Sequence, residues 1–485
     1  MNILELEPKS VWKYFDEITK IPRPSKKEEK IIAYLMDFAQ EHNLEVAEDS
    51  VGNVLIKKPA TKGMEDRKSV VLQSHSDMVC EKNADVTHDF DNDPIKTKIE
   101  GDWVTAEGTT LGADDGIGIA ASLALLAADD IKHGPIEVLI TSDEETGMTG
   151  AFGLEPGFFD GKILLNLDSE DEGELFIGCA GGMDTAAVFE YSENKVPAKH
   201  TAQKISVTGL NGGHSGDEID NGMGNAVKIL NRLLWNADNK FSIKLSNFKA
   251  GNLRNAIARE GFATVLIPDK ELKNFKSYIE SAGKDIKAEF SVTEKKLEIK
   301  TENTEQPQFV IDADTQTNLL NSIYACFHGV YAMSMSIEGL VETSSNLSSV
   351  KFIGDNKIKI GTSQRSSVDS AKHDIAHTVG AAFKLAGAKV EYGSGYPGWT
   401  PNMDSEIMKV TETSYKKLFD QTPDVKAIHA GLECGLFLEK YPDMDMISFG
   451  PTIKGAHSPD ERIDIQTTQK FWDLLLDVLE NIPKN

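Results

Sequence analysis

The sequence lacks the features of secreted and membrane-spanning proteins. No run approaches the roughly 18 consecutive apolar residues that a transmembrane helix requires. Near the N-terminus there is no basic segment followed by an apolar one, so we expect no secretory signal and a cytoplasmic location. The 4 cysteines (Cys80, Cys179, Cys326 and Cys434) form no CxxC pair, which argues against both a disulfide framework and a cysteine zinc site.

Positive charge is also scarce. The chain has 51 Lys and Arg against 77 Asp and Glu, a formal net charge of −26. Such a surface repels phosphate backbones and anionic lipids, so nucleic acid and membranes are poor partners. Acidic charge favours solubility and does not by itself indicate a metal site.

The 485 residues exceed what one compact core accommodates, so we expect two domains. Short apolar runs at 70–77, 136–145 and 162–170 alternate with helical stretches such as 116–126. This order predicts an α/β domain with a mostly parallel sheet and helices on both faces. The same pattern returns at 444–458.

The middle of the chain predicts a different architecture. A strand at 204–210, a helix at 223–237, two strand-like segments, a helix at 271–287 and a further strand follow in β-α-β-β-α-β order. A second round is predicted from a helix at 314–332, a hairpin at 347–353 and 357–363, and a helix at 367–386. We therefore predict an inserted α+β lid of ferredoxin-like units at 185–391, within a catalytic domain of 1–184 and 392–485. The Gly- and Pro-containing segment 394–402 is the predicted return hinge.

Polar side chains follow the apolar runs of the predicted α/β domain. They are His75, Asp77, Asp114, Asp115, Glu144, Glu145, Asp168 and His457. Ligands bind outside the carboxyl ends of strands in open parallel sheets, so these side chains should meet in one site. Two imidazoles with several carboxylates suit zinc, with manganese or cobalt as substitutes. A pair of ions needs one bridging carboxylate, plus a histidine and a further carboxylate for each ion.

Within this set, Glu144 and Glu145 are adjacent and point in different directions from an extended strand end. One can bind metal while the other acts as general base. Asp77 lies on the same strand face as His75 and can orient its imidazole. Each motif alone has an ordinary structural explanation, since Asp-Asp-Gly also fits a helix N-terminus. The glycines of 116–121 imitate a dinucleotide fingerprint, but carboxylates precede them where a pyrophosphate would bind.

The motifs at 74–79, 109–118, 141–150, 165–170, 209–219 and 454–461 resemble the zinc aminoacylase/carboxypeptidase superfamily. Within it the chain is similar to the bacterial aminoacyl-histidine dipeptidases, also called Xaa-His dipeptidases, peptidase D or carnosinases. Segments 339–347, 363–367 and 429–435 match as well. The resemblance implies a cytosolic homodimer that hydrolyses unblocked dipeptides, favouring Xaa-His and including β-Ala-His.

The resemblance also implies roles for single residues. His75 and His457 would each bind one of two zinc ions, Asp114 would bridge them through a cis peptide to Asp115, and Glu145 and Asp168 would complete the set. Glu144 would be the general base and acid, Asp77 would orient His75, and His214 would donate to the oxyanion. Asn346 and Arg365 would hold the substrate, with Arg365 on its carboxylate, and Glu433 would meet its free amine.

Several alternatives remain open from the sequence. His214 could be a surface turn histidine, Arg365 could pair with the acidic surface, and His429 is set aside as a packed residue. Asp168, where deacylating relatives commonly carry Glu, is typical of members that accept a free amine. The rival functions are a related tripeptidase or aminopeptidase, an N-acyl amino acid deacylase, and a metal-binding protein without catalysis.

Overall fold

The computed structural model describes residues 2–485, in which loops connect α-helices and β-strands. The α-helices are α1 Lys9–Ile18, α2 Glu29–Glu41, α3 Ala113–Ala127, α4 Glu144–Gly147, α5 Thr149–Gly153, α6 Ala226–Phe241, α7 Leu272–Glu289, α8 Ala313–Ala325, α9 Asp369–Leu385, α10 Glu406–Phe419, α11 Glu433–Lys440 and α12 Ile465–Glu480.

The strands vary in length from 2 to 12 residues. They are β1 Glu45–Glu48, β2 Val54–Lys58, β3 Val70–His75, β4 Thr97–Glu100, β5 Trp103–Ala106, β6 Ile136–Thr141, β7 Ile163–Asn166, β8 Glu174–Cys179, β9 Gly181–Glu190, β10 Glu193–Lys195, β11 His200–Thr208, β12 Lys244–Ala250, β13 Gly261–Pro268, β14 Glu298–Asn303, β15 Phe309–Ile311, β16 Gly329–Met333, β17 Val341–Phe352, β18 Lys357–Ser366, β19 Lys389–Tyr392, β20 Asp424–Ile428, β21 Asp445–Ser448, β22 Ile453–Lys454 and β23 Arg462–Asp464.

By internal packing the chain forms two compact units. The first runs from the N-terminus to Gly178 and includes Trp399–Ala427 and Leu432–Asn485. The second comprises Cys179–Gly398 and the short segment Ile428–Gly431. The second unit is thus an insertion into the first. Among the helices of residues 2–485, none is both long and apolar enough to cross a membrane.

The main sheet of the first unit has the order β1-β2-β6-β3-β7-β21-β8-β20. Its centre, β6-β3-β7-β21, is parallel, and β3, β6 and β7 are buried along their whole length. Full burial explains their continuous apolar sequences. The flanking pairs β1-β2, β2-β6 and β21-β8 are antiparallel, so the predicted parallel pairing describes the centre of a mixed sheet. Its outermost strand β1 is largely exposed, which antiparallel edges tolerate.

The larger sheet of the second unit has the order β14-β11-β13-β12-β17-β18-β9-β19. Segments β11-α6-β12-β13-α7-β14 form one β-α-β-β-α-β round, with its fourth strand beside its first. The second round consists of β9, α8, β17, β18, α9 and β19 in the same spatial order. Its first strand, β9, precedes the whole first round in the chain, which is why the sequence pattern did not reveal it.

One predicted element of the second unit is wrong in part. The helix expected over 314–332 ends at Ala325, and the chain continues into strand β16. Gly329, the first residue of β16, has a φ of 113°, which a helix does not allow. The apolar residues beyond 325 belong to a strand paired with β17 rather than to a helix face.

The core of the second unit is shared by both rounds. Leu230 and Leu233 of α6 are fully buried in the same cluster as Phe248, Leu347 and Phe383. Asn225 caps α6: its Oδ1 accepts the amides of Val227 (2.9 Å) and Lys228 (3.2 Å), while its Nδ2 donates to the Leu347 carbonyl (2.9 Å). This one side chain therefore ties a helix of the first round to a strand of the second.

We predict that Asn225→Ala destabilises the second unit by about 1–2 kcal/mol, because a helix cap and a buried donor are lost together. Urea unfolding followed by circular dichroism measures the change. Asn225→Ser keeps a cap acceptor but not the Nδ2 donor and should lose less. An alanine variant as stable as the parent chain would contradict the assignment.

Candidate active site

The ends of the central parallel strands and two loops bring the predicted metal ligands together in the first unit. His75 ends β3, Asp168 lies two residues beyond β7, and Glu145 lies in α4, which begins three residues beyond the end of β6. Asp114 lies in the first turn of α3, and its peptide bond to Asp115 is cis. His457 is in the loop between β22 and β23.

Asp114 lies between the two histidines. Its Oδ1 is 3.0 Å from His75 Nε2, and its Oδ2 is 3.1 Å from His457 Nε2. Asp168 Oδ1 is 3.4 Å from the same His75 nitrogen, and Glu145 Oε2 is 2.9 Å from the His457 nitrogen. Each imidazole therefore faces the shared carboxylate and one carboxylate of its own, the arrangement that two bridged cations require.

The electrostatics of this cluster also favour cations. Hydrogen bonds to Asp114 and Glu145 raise the pKa of His457 to about 11. Burial raises the pKa of Asp168 to about 7, and the neighbouring Asp114 carboxylate contributes to the rise. Glu145 Oε1 is buried without a hydrogen-bond partner in the described chain. Buried carboxylates this close are stable together only if positive charge is shared among them.

Asp77 contacts three residues of this site, namely His75, Glu144 and Glu145. Its Oδ1 is 3.3 Å from His75 Nδ1 and accepts the Glu144 amide at 3.0 Å, while Oδ2 accepts the Glu145 amide at 3.3 Å. Burial would raise the pKa of Asp77, but the contact with His75 and the hydrogen bonds from Ser25 and Glu144 outweigh it and lower that pKa to about 2. Asp77 thus remains ionised and holds both His75 and the Glu144–Glu145 turn.

Glu144 lies beside this cluster in the same short helix as Glu145. Burial raises its pKa well above the usual carboxyl value, and the carboxylates of Asp168, Glu433 and Glu145 raise it further. A carboxyl group with a raised pKa can both accept and return a proton near neutral pH. Its environment therefore suits a general base that later acts as an acid.

The loop that carries Asp114 is held in place by Glu461 and Arg23, two residues that the sequence analysis did not single out. The buried carboxylate of Glu461 accepts the backbone amides of Leu111 (2.7 Å), Gly112 (3.0 Å) and Ala113 (2.7 Å), and that of Asp114 at 3.3 Å. Buried Arg23 donates to the carbonyl oxygens of Ser76, Asp77 and Gly112. Glu461 ends the motif at 454–461, so its place there was the available signal, whereas nothing in the sequence marked Arg23.

Glycine at 118 has a packing role rather than a nucleotide-binding one. A Cβ there would lie 2.4 Å from Asp115 Oδ1 and 2.6 Å from Ser74 Oγ. Asp115 instead accepts the Gly118 amide (3.1 Å) and the His75 amide (3.3 Å). The glycine therefore allows helix α3 to approach the end of β3.

Glu433, the predicted contact of the substrate amine, begins α11 and is fully buried. Its Oε2 accepts hydrogen bonds from Gln73 Nε2 (2.6 Å) and Thr141 Oγ1 (2.7 Å), at the ends of β3 and β6. Its Oε1 has no hydrogen-bond partner among the described residues. Burial raises the pKa of Glu433 to about 8, although His75 and Thr141 oppose the rise.

In the second unit, the structure brings together His214 and Arg365. His214 Nδ1 is 2.9 Å from Asp217 Oδ2, and its Nε2 is 3.5 Å from Arg365 Nη2. Arg365 Nη1 donates to the Tyr396 hydroxyl at 3.0 Å. Asp217 and Tyr396 were not expected, although both lie in segments that were singled out.

Asn346 and His429 lie elsewhere in the second unit. Asn346 Nδ2 donates to the carbonyls of Arg254 (3.2 Å) and Ala256 (2.9 Å), and its Oδ1 is buried without a partner in the described chain. His429 Nε2 is 2.7 Å from Ser344 Oγ. Burial and the nearby Arg365 lower the pKa of His429 to about 3, so its ring stays neutral.

The chain is similar to several known proteins. The sequence model of Peptidase family M20/M25/M40 matches residues 71–481. Cytosol non-specific dipeptidase of Escherichia coli K12 is 44% identical over 482 residues, which cover 99% of both chains. The crystal structure of aminoacylhistidine dipeptidase from Vibrio alginolyticus has a TM-score of 0.92 at 46% identity, covering 100% of this chain and 99% of that one. Aminopeptidase PepT from Bacillus cereus, at 16% identity and a TM-score of 0.58 (98% of this chain and 99% of that one), shares the fold alone.

We predict that Glu461→Ala weakens binding of divalent metal about 10- to 100-fold, because four amides around Asp114 lose their acceptor and the Asp114 carboxylate shifts. Equilibrium dialysis with metal analysis measures the affinity. Glu461→Gln keeps an acceptor oxygen and should lose less. Unchanged affinity in a folded alanine variant would contradict this role.

Proposed function

The chain belongs to peptidase family M20/M25/M40, and from this membership we propose that it is a cytoplasmic two-zinc dipeptidase that hydrolyses unblocked dipeptides and favours Xaa-His, including β-Ala-His. The observation that carries the proposal is the place of Asp114, whose two carboxylate oxygens each face one imidazole. The relatives are named a non-specific dipeptidase and an aminoacylhistidine dipeptidase, and the histidine preference is the narrower part of the proposal.

The donor set supports two zinc ions. His75, Asp114 and Asp168 would hold one, and His457, Asp114 and Glu145 the other, with manganese or cobalt as substitutes. When bound, such a pair polarises the scissile carbonyl and lowers the pKa of a water. Asp77 keeps the His75 ring in place for that purpose.

Glu144 performs the proton transfers of the proposed reaction. Its carboxylate takes a proton from the attacking water and later passes it to the departing amine nitrogen. The buried surroundings that raise its pKa make both steps accessible near neutral pH. Glu144 must not bind metal if it is to act as the base. Of the two adjacent glutamates, it is Glu145 whose carboxylate contacts His457 Nε2, and this leaves Glu144 for the proton transfers.

The remaining residues would recognise the substrate. His214 would donate to the oxyanion, Arg365 would bind the substrate carboxylate, and Asn346 would help to hold the substrate. Glu433 would receive the free α-amine, because its buried Oε1 lacks a partner and an ammonium group would supply one. An acylated amine offers no such charge, which favours unblocked peptides over N-acyl substrates.

Three other functions compete with this proposal. A related tripeptidase or aminopeptidase, or an N-acyl amino acid deacylase, would use the same metal ligands with a different substrate preference. A metal-binding protein without catalysis would not need Glu144, which the chain retains. We also propose a homodimer, on the family resemblance.

Glu144→Gln should lower kcat by about 10²- to 10⁴-fold while zinc content stays the same, because the amide cannot accept the proton of water. Steady-state hydrolysis of Gly-His, with metal analysis of the same samples, measures both quantities. Glu155→Gln, at an exposed position of the first unit, is the matched control and should behave like the wild-type protein. A fully active Glu144 variant would exclude the proposed base.

Metal-stripped protein should be inactive and should regain activity when zinc is added, because no other group in the cluster can polarise the carbonyl as strongly. The panel is β-Ala-His, Gly-His, Ala-Leu, Gly-Gly-Gly and N-acetyl-Met, and cleavage of the histidine dipeptides is expected to be fastest. Cleavage of only the tripeptide or the acetylated substrate would support a competing activity. No cleavage by folded, zinc-loaded protein would refute the enzymatic proposal.

A further inference from the structure

Three residues form a row across the sheet of the second unit. Arg365 on β18 pairs in register with Gly182 on β9. On its other side Gly182 exchanges backbone hydrogen bonds with Tyr396: its amide donates to the Tyr396 carbonyl (3.1 Å) and it accepts the Tyr396 amide (2.8 Å). Lys372 Nζ also donates to the Tyr396 carbonyl at 2.7 Å. The backbone of Tyr396 is therefore held from two sides.

Glycine at position 182 leaves the space in which the two longer side chains meet. A Cβ on Gly182 would lie 2.7 Å from ring atoms of Tyr396, and a Cβ on Gly431 would lie 2.8 Å from the same ring. The phenol is thus confined between two glycines, and its hydroxyl oxygen accepts a hydrogen bond from Arg365 Nη1 at 3.0 Å. The sequence suggested only a hinge for this segment.

The Arg365 guanidinium is a buried cation with no carboxylate among its hydrogen-bonding partners. The residue is 7% exposed, and its hydrogen-bonding contacts are the Tyr396 hydroxyl and His214 Nε2, neither of them a carboxylate. Its Nε is buried without a partner in the described chain. A buried positive charge is costly unless an anion compensates it, so this site is suited to an anionic ligand.

Tyr396 can contribute a second donor to the same anion. Its oxygen accepts from Arg365, so that bond leaves the phenolic proton available. Burial raises the pKa of Tyr396, so the hydroxyl stays protonated at neutral pH. A guanidinium N–H and a phenol O–H that lie side by side match the two oxygens of one carboxylate.

We propose that Tyr396 and Arg365 together bind the C-terminal carboxylate of the substrate, and that the Tyr396 hydroxyl is a specificity-determining donor for peptides with a free C-terminus. This inference rests on the proposed dipeptidase function. It adds to that function a residue that discriminates a carboxylate from an amide: a terminal amide carries no charge, and its NH₂ group cannot accept the phenol proton.

The test compares a dipeptide with its C-terminal amide, for example Gly-His and Gly-His amide, on zinc-loaded wild-type and Tyr396→Phe protein. Phenylalanine keeps the ring between the glycines and removes only the hydroxyl. We expect kcat/KM for the free acid to fall about tenfold, mostly through KM, because a charge-assisted hydrogen bond is lost. The value for the amide should change less than about twofold.

Tyr392→Phe removes a hydroxyl from a neighbouring tyrosine outside this row and should leave both substrates unaffected. Gly182→Ala displaces the Tyr396 ring without removing its hydroxyl. It should lower kcat/KM for the acid and not for the amide, as Tyr396→Phe does, while the melting temperature of the protein stays the same. Equal losses on acid and amide in Tyr396→Phe, or no loss on either, would overturn the inference.

A separate outcome would concern the proposed function alone. If the zinc-loaded wild-type protein cleaves neither peptide, the dipeptidase proposal fails. Calorimetric titration of the same acid and amide into wild-type and Tyr396→Phe protein then tests the inference, because it measures binding affinity without requiring catalysis. About tenfold weaker binding of the acid alone would support it, and binding unchanged by the substitution, or no preference for the acid in the wild-type protein, would overturn it.

Discussion

The mutual repulsion of buried carboxylates is the constraint on which the first unit depends. Asp114, Glu145 and Asp168 lie around two imidazoles at distances that are stable only with shared positive charge. The surrounding structure resists that repulsion with rigid supports. Four amides fix the Glu461 carboxylate to the loop that carries Asp114, and Asp77 fixes the turn that carries Glu144 and Glu145. The parallel strands supply the fixed ends from which this charge cluster is built.

In the second unit the buried charge is positive rather than negative. There a buried guanidinium, rather than a group of carboxylates, has no hydrogen-bonding partner of opposite charge. Two antiparallel rounds joined in one sheet place Arg365, Gly182 and Tyr396 in a row, so that backbone pairing sets the distance between two long side chains.

The sequence predicted the central strands of the first unit well because buried parallel strands are continuous apolar runs, and 70–77, 136–145 and 162–170 each contain one. The helix end at Ala325 was missed because the apolar residues of 326–332 fit a helix and a strand equally. Strand β9 was not assigned to the second round because an entire round separates it from α8. Such long-range pairing has no local pattern.

The sequence by itself determined that histidines and carboxylates follow the ends of the predicted strands, and in which order. This pattern identified the family and the candidate metal ligands. Only the tertiary structure decided how each ligand is shared, with one oxygen of Asp114 on each imidazole. It alone identified Glu461, Arg23 and Tyr396, whose roles depend on contacts between residues far apart in the chain. The physical reason is that hydrogen bonds and charge repulsion act over a few ångströms of space, whatever the separation along the chain.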